Sequence, residues 1–365
     1  MNSLDINDIR TIKDFRGITF SKYKTKDVKL KFINELKNEN LIEAYYWFSE
    51  LFTSGNIFVI WECIFHFTTI YINTANPKIF VYLQLKSDEF IKIYNFGYIN
   101  QELFLRNNSK CRNMFCEIIS ILCASPKKPG FQNLKIVKNT DFIIQNIKHR
   151  LKAPNTDFIN NTFQLDDPDE LFLACNEFSY AIHISNNHKN QLDAIYWLEW
   201  MLSFEKQFQT QHKKSLKAAH RNIKSIPSIS QYDIIWIIWD IILASSSTET
   251  TNQILNKIIS SLFNLFSFQF KPGHKTKHKP LIYIAIIFII DYKNINFTIP
   301  ILDNQALISP DFLTTVKNQV FSSLKQHEIS PNTDYLFDEN TSKSETEKTF
   351  GKLNKLADIL GTNPP

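Results

Sequence analysis

Glycine is scarce in this chain. There are seven in 365 residues, at positions 17, 55, 97, 130, 273, 351 and 361, and no two lie closer than ten residues apart. Phosphate-cradling P-loops, Gly-x-Gly dinucleotide turns and Gly-x-Ser-x-Gly nucleophile elbows all need closely spaced glycines, so none of them is present. His-Glu-x-x-His is also missing. A bilayer span needs roughly 20 consecutive apolar residues. The best runs here are 281–290 and 234–244, the second broken by Asp240, so no membrane span is expected. The N-terminus shows no basic stretch followed by an apolar run, hence no secretory signal. An intracellular setting is expected.

Cysteine is sparse too. The five, Cys63, Cys111, Cys116, Cys123 and Cys175, are an odd number set in apolar stretches, which suits reduced core thiols better than a disulfide framework. The spacing of Cys111, Cys116 and Cys123 lacks the paired ligands of a structural zinc site. Neither a metal nor a cofactor is expected, and the empty motif inventory points to a non-enzymatic protein.

What the chain does have is bulk. Hydrophobic residues make up 44% of it, with 31 Phe, 13 Tyr and 6 Trp, enough for a sizeable core. Apolar residues recur three or four apart over 27–37, 41–54, 57–72, 77–93, 100–123, 168–184, 191–209, 211–224, 232–244, 251–267, 280–290 and 310–327. That period is helical, and the fold class it predicts is all-α. Residues 281–290 fit either a buried helix or a short buried strand. Asp167-Pro168-Asp169-Glu170 reads as a helix start, with an N-cap, proline in the first helical position and carboxylates where the dipole favours them.

One phrase occurs twice. Ala44-Tyr45-Tyr46-Trp47 is matched by Ala194-Ile195-Tyr196-Trp197, then Ile60-Trp61-Glu62 by Ile238-Trp239-Asp240, and more loosely Pro77-x-x-Phe80 by Pro280-x-x-Tyr283. Such order suggests a diverged duplication. Breakers at Ser125-Pro126-Lys127-Lys128-Pro129-Gly130 and Lys152-Ala153-Pro154-Asn155 divide the chain into a helical unit over 1–125, a linker over 126–165 and a second helical unit over 166–330. Trp47, Trp61, Trp197 and Trp239 are expected in the core. Glu62 and His66, four apart, read as a satisfied core pair, and His183 and His188 as structural or surface residues beside a helix end.

Charge is unevenly placed. Residues 206–224 hold Lys206, Lys213, Lys214, Lys217, Arg221 and Lys224 without an acid; residues 271–279 hold Lys271, Lys275, Lys277 and Lys279 without an acid. The segments carry +6 and +4, leaving −5 for the rest of a chain whose net charge is +5. They coincide with extra sequence in the second copy, where the offset between copies grows from 150 residues at the Tyr-Trp phrase to 178 and then 203. Lys213, Lys217, Arg221 and Lys224 recur as a solvent-facing stripe on a helix over 211–224, and 271–279 reads as a basic loop around Pro272-Gly273. Together they either neutralise a polyanion such as nucleic acid or serve as solvated surface.

From about residue 330 the chain becomes polar, and 331–365 reads as a flexible tail. Within it, Phe350, Leu353, Leu356 and Leu360 share one helical face behind Ser344-x-x-Glu347, a capping-box pattern. That face either docks on a partner or folds back on its own chain.

Asp14-Phe15-Arg16-Gly17-Ile18-Thr19-Phe20-Ser21-Lys22-Tyr23-Lys24, Tyr46-Trp47-Phe48-Ser49-Glu50-Leu51, Leu151-Lys152-Ala153-Pro154-Asn155, Tyr196-Trp197-Leu198-Glu199-Trp200 and Ile234-Ile235-Trp236-Ile237-Ile238-Trp239 follow in order. This string resembles an uncharacterised protein family of mimivirus-like large DNA viruses, over about residues 10 to 300. The resemblance carries no activity. It implies a viral protein made in the host cytoplasm, working in virion assembly or genome handling. The function expected is a helical scaffold contacting other viral proteins, a minor virion component; the alternative is a nucleic-acid-binding accessory factor using 206–224 and 271–279.

Overall fold

The computed structural model describes residues 4–128, 130, 134–183, 190–247 and 253–329, and among these it is mainly helical, with no β-strand and a single bridge between Ile18 and Lys24. The α-helices run in order α1 (Thr25–Lys37), α2 (Leu41–Thr53), α3 (Ile57–Phe67), α4 (Ile79–Asn95), α5 (Ser109–Ala124), the short α6 (Lys138–Asp141) and α7 (Ile144–Lys148), α8 (Phe172–Ile182), α9 (Gln191–His212), α10 (Ile235–Ser247), α11 (Gln253–Ser267), α12 (His274–Asp291) and α13 (Pro310–Lys325). Residues 281–290 lie within α12, which settles them as helix.

Each Tyr-Trp helix packs on the helix before it, α2 on α1 and α9 on α8. Each Ile-Trp helix also touches that earlier helix, α3 on α1 and α10 on α8. The surroundings then differ, because α2 packs on α3 whereas α9 packs on α12. Helices from the two halves of the chain share one apolar core: α11 lies against α4, α12 against α3, and α13 against α2 and α5. Phe58, Trp61 and Phe65 of α3 meet Phe268, with ring centroids 5.5 to 6.4 Å apart. Trp47, Trp61, Trp197 and Trp239 are all buried. So are the five cysteines, none of them disulfide-bonded.

The segment Ile57–Ala75 is long and apolar enough to cross a bilayer, but 61% of it is buried inside the fold. It owes that length to a π-turn over Thr68–Ile72 that continues α3. There the Thr68 and Thr69 hydroxyls donate to the Ile64 and Phe65 carbonyls one turn back, bonds that compete with the regular ladder and bend helices.

Both ends of the described chain meet. Arg106 donates to the Asp8 carbonyl and Arg112 to the Leu4 carbonyl, while the Arg112 guanidinium stacks 3.8 Å above the Phe321 ring of α13. The Ile9 amide donates to the Ile329 carbonyl at 3.1 Å. Gly55 makes the close approach beneath this segment feasible. Its φ is +75°, and a Cβ there would lie 2.9 Å from Ile12 and 3.1 Å from Leu103, so any side chain would be both strained and crowded.

Candidate functional site

The two basic segments come together, though not as a stripe and a loop. Helix α9 ends at His212, where Lys213 takes a left-handed conformation with φ 52°, a position glycine usually fills. Beyond it, residues 215–223 have no regular secondary structure. The Ala218 amide donates to the Tyr232 carbonyl at 2.8 Å and the Arg221 amide to the Gln231 carbonyl at 3.2 Å, tying the segment to its own return path. The helix expected over 211–224 therefore goes no further than His212, because the Ala218 and Arg221 amides bond to 231–232 instead of one turn back.

Arg221 corrects the stripe most sharply. It is 4% exposed, and its guanidinium donates to Asp167 Oδ1 at 2.6 Å and Oδ2 at 2.7 Å, to Asp240 Oδ2 at 2.7 Å and to the Ala219 carbonyl at 3.0 Å. Burial works against its charge, but the two carboxylates outweigh that and raise its pKa above the ordinary arginine value. Asp167 is thus no helix cap. Its side chain accepts from the amides of Ala219 and Gln164 besides Arg221, and the helix start falls to Pro168 in extended conformation. Lys213, Lys214, Lys217 and Lys224 remain exposed.

Residues 274–279 form the first turns of α12, so the second basic segment is largely helix. Lys271 precedes it and is exposed. The others are paired: Lys275 with Glu205 at 2.7 Å and Asp233 at 2.6 Å, Lys277 with Glu62 at 2.8 Å, and Lys279 with Glu199 at 2.5 Å. Glu199 also accepts from the Tyr283 hydroxyl, whose pKa is pushed up by burial and by that carboxylate. Glu205 is raised by burial, a shift that Lys275 opposes. The Glu62–His66 core pair does not form, since Glu62 turns to Lys277 and His66 is exposed. His183 caps the end of α8 with its ring edge-on to Phe158 at 5.4 Å. His188 and the Phe350, Leu353, Leu356 and Leu360 face lie outside the described residues.

The Lys275 and Lys279 pairs line a cleft of about 630 Å³. One wall is a face of α9 (Glu199, Leu202, Ser203, Glu205, Lys206, Gln209), a second is the irregular segment at Ser215–Lys217 with the return at 229–233, and the third is the start of α12 with Lys275, Thr276 and Lys279. Lys217 sits 5.9 Å above the Tyr232 ring at its edge. The volume lies in the range of small-ligand sites. Of the nine basic residues expected in the site, Lys217, Lys275 and Lys279 line this cleft, while Arg221 and Lys277 are engaged elsewhere and Lys213, Lys214, Lys224 and Lys271 face solvent.

That the carboxylates Asp167, Glu199, Glu205, Asp233 and Asp240 partner the basic segments escaped the sequence reading, which took Asp167 as a helix cap and Asp240 as part of the repeated phrase. Asp240 carried the clearest signal, as a lone acid inside the Ile-rich run 234–242, because a buried charge requires a partner. Comparison of the chain with protein-family models, curated proteins and solved structures gives no match.

Proposed function

We propose that this chain is a non-enzymatic helical interaction protein of a mimivirus-like large DNA virus, a minor virion component that contacts other viral proteins. One observation carries the reading: the connection between α4 and α5 exposes Phe96, Ile99 and Phe104 at 89%, 53% and 68% within nine residues. Nearby apolar exposure continues at Ile12, whose Cδ1 approaches the same point of Gly55 as Leu103. Monomeric proteins rarely leave large apolar groups clustered in water unless another surface covers them. The resemblance to the viral family supplies the context. In the test, tagged full-length protein and its Phe96→Asp, Phe104→Asp variant are incubated with solubilised virion proteins and analysed by mass spectrometry. The reading expects defined virion proteins with the parent and their loss with the variant, at unchanged helicity; identical recovery would overturn it.

The exposure of Lys213, Lys214, Lys217, Lys224 and Lys271 supports a second reading as a nucleic-acid-binding accessory factor. Against it weighs the internal pairing of Arg221, Lys275 and Lys279, which shields three of the nine cations, and the surface pair that Lys277 makes with Glu62.

A further inference from the structure

We propose that the cleft between α9, residues 215–233 and α12 binds a small aminoalkyl phosphate, its ammonium received at the floor and its phosphate held at the mouth. This site is separate from the Phe96–Phe104 surface and stands or falls independently of it.

Charge is segregated by depth. At the floor Glu199, Glu205, Asp233, Lys275 and Lys279 have side chains only 11% to 23% exposed. Three carboxylates against two ammoniums leave the floor at −1. At the mouth, Lys206 and Lys217 are exposed; neither makes an ion pair within 4 Å among the described residues, although Lys206 lies near enough to Glu205 to favour its charged form, so the mouth carries +2. A lone anion is drawn to the mouth and repelled from the floor; a lone cation meets the reverse. A ligand with a phosphate monoester at one end, which carries about −1.5 to −2 near neutral pH, and an ammonium at the other matches both.

The acceptor capacity agrees with that placement. Asp233 uses Oδ1 for both Lys275 and the Ile235 amide, and Glu199 uses Oε1 for both Lys279 and Tyr283. Asp233 Oδ2 and Glu199 Oε2 accept nothing among the described residues, leaving positions for an ammonium, which has three donors. Ser203, Ser215 and Thr276 line the same cleft and provide hydroxyl donors for phosphate oxygens. The walls are fixed before any ligand arrives, by the Lys275 and Lys279 pairs between α9 and α12 and by Arg221 anchoring the segment 215–223 to Asp167. A preformed site loses less on ordering when it binds.

The test is isothermal titration of the full chain with O-phosphoethanolamine, and with its two halves, ethanolamine and inorganic phosphate. Binding of the zwitterion at least tenfold tighter than either half supports the site. Lys206→Gln with Lys217→Gln should weaken it at least tenfold, and Glu199→Gln or Asp233→Asn should weaken the zwitterion without weakening phosphate; circular dichroism checks that each variant is folded. Lys213→Gln with Lys214→Gln, outside the cleft, should change nothing. Absence of binding overturns the proposal. So does equal affinity for phosphate and phosphoethanolamine, which would reduce the site to a simple anion patch, and so does a zwitterion affinity indifferent to both carboxylate variants.

Discussion

Replacing Arg221 with Ala separates a cation that serves the fold from one that serves the surface. The side chain is 4% exposed and its guanidinium satisfies Asp167 through two oxygens, Asp240 and one carbonyl. Removing it strands Asp167, whose side chain is fully buried, without its counter-ion. Breaking a buried ion pair by deleting one partner costs about 3–5 kcal/mol. The return from 215 to 233 also loses its anchor, because the same guanidinium connects that segment to α10 through Asp240. Urea unfolding followed by circular dichroism and by tryptophan fluorescence should therefore place Arg221→Ala about 3–5 kcal/mol below the parent. Arg221→Lys should recover only part of this, since a single ammonium cannot reproduce a planar fork on two oxygens. The combined change Lys213→Ala, Lys217→Ala, Lys224→Ala should stay within about 0.5 kcal/mol, as exposed substitutions do. An Arg221→Ala protein within about 1 kcal/mol of the parent would refute the buried network.

Other measurements reach different parts of the molecule. Trp61→Ala should cost about 3–5 kcal/mol through transfer and cavity terms, and Trp61→Phe clearly less, because the indole N–H is buried without an acceptor among the described residues. His278 is held below the ordinary histidine pKa chiefly by burial, with His274 and Lys277 adding and the Phe266 carbonyl and Glu62 opposing. The unfolded chain takes up that proton below about pH 6.5 while the folded one resists, so stability should fall as the pH drops below that value. The slope should flatten in His278→Gln; an identical slope in the two proteins would contradict it. Burial pushes the thiols of Cys63, Cys111 and Cys116 up to about 12 and that of Cys123 to about 11, and raises Cys175 as well. A thiol reagent at neutral pH should leave all five unmodified in the native protein and label all five in urea; fast native labelling of any of them would contradict the burial of its helix, α3 for Cys63, α5 for Cys111, Cys116 and Cys123, and α8 for Cys175.

The helices and their buried faces were legible in the sequence because a period of three to four apolar residues is a local signal. The Tyr-Trp and Ile-Trp phrases duly fall on α2, α3, α9 and α10. The basic segments were misread because their partners are remote: Arg221 meets an acid 54 residues away, Lys275 one 70 away, Lys279 one 80 away and Lys277 one 215 away. Spacing of four between Lys213, Lys217 and Arg221 imitates a helical face, yet Arg221 points inward and the backbone over 215–223 is not helical. Pro272-Gly273 marked a loop correctly, but α12 begins at the very next residue. Asp167 shows the same limit from the other side. Its neighbours Pro168, Asp169 and Glu170 satisfy every local rule for a helix start, while its side chain is committed to Arg221.

Whether the basic segments serve the fold or a nucleic acid is decided most directly by a salt titration of binding to a random-sequence duplex, read by gel shift with the full chain. A phosphate-binding surface loses affinity steeply with salt, about 0.9 log units per log unit of salt for each phosphate contact. With Arg221, Lys275, Lys277 and Lys279 committed to internal carboxylates, little or no binding is expected at about 0.15 M salt, and no change on replacing Lys213, Lys214, Lys217 and Lys224 by Ala. Tight binding with a steep salt slope, reduced by that quadruple replacement, would contradict the interaction-protein reading and establish the exposed lysines as a nucleic-acid surface.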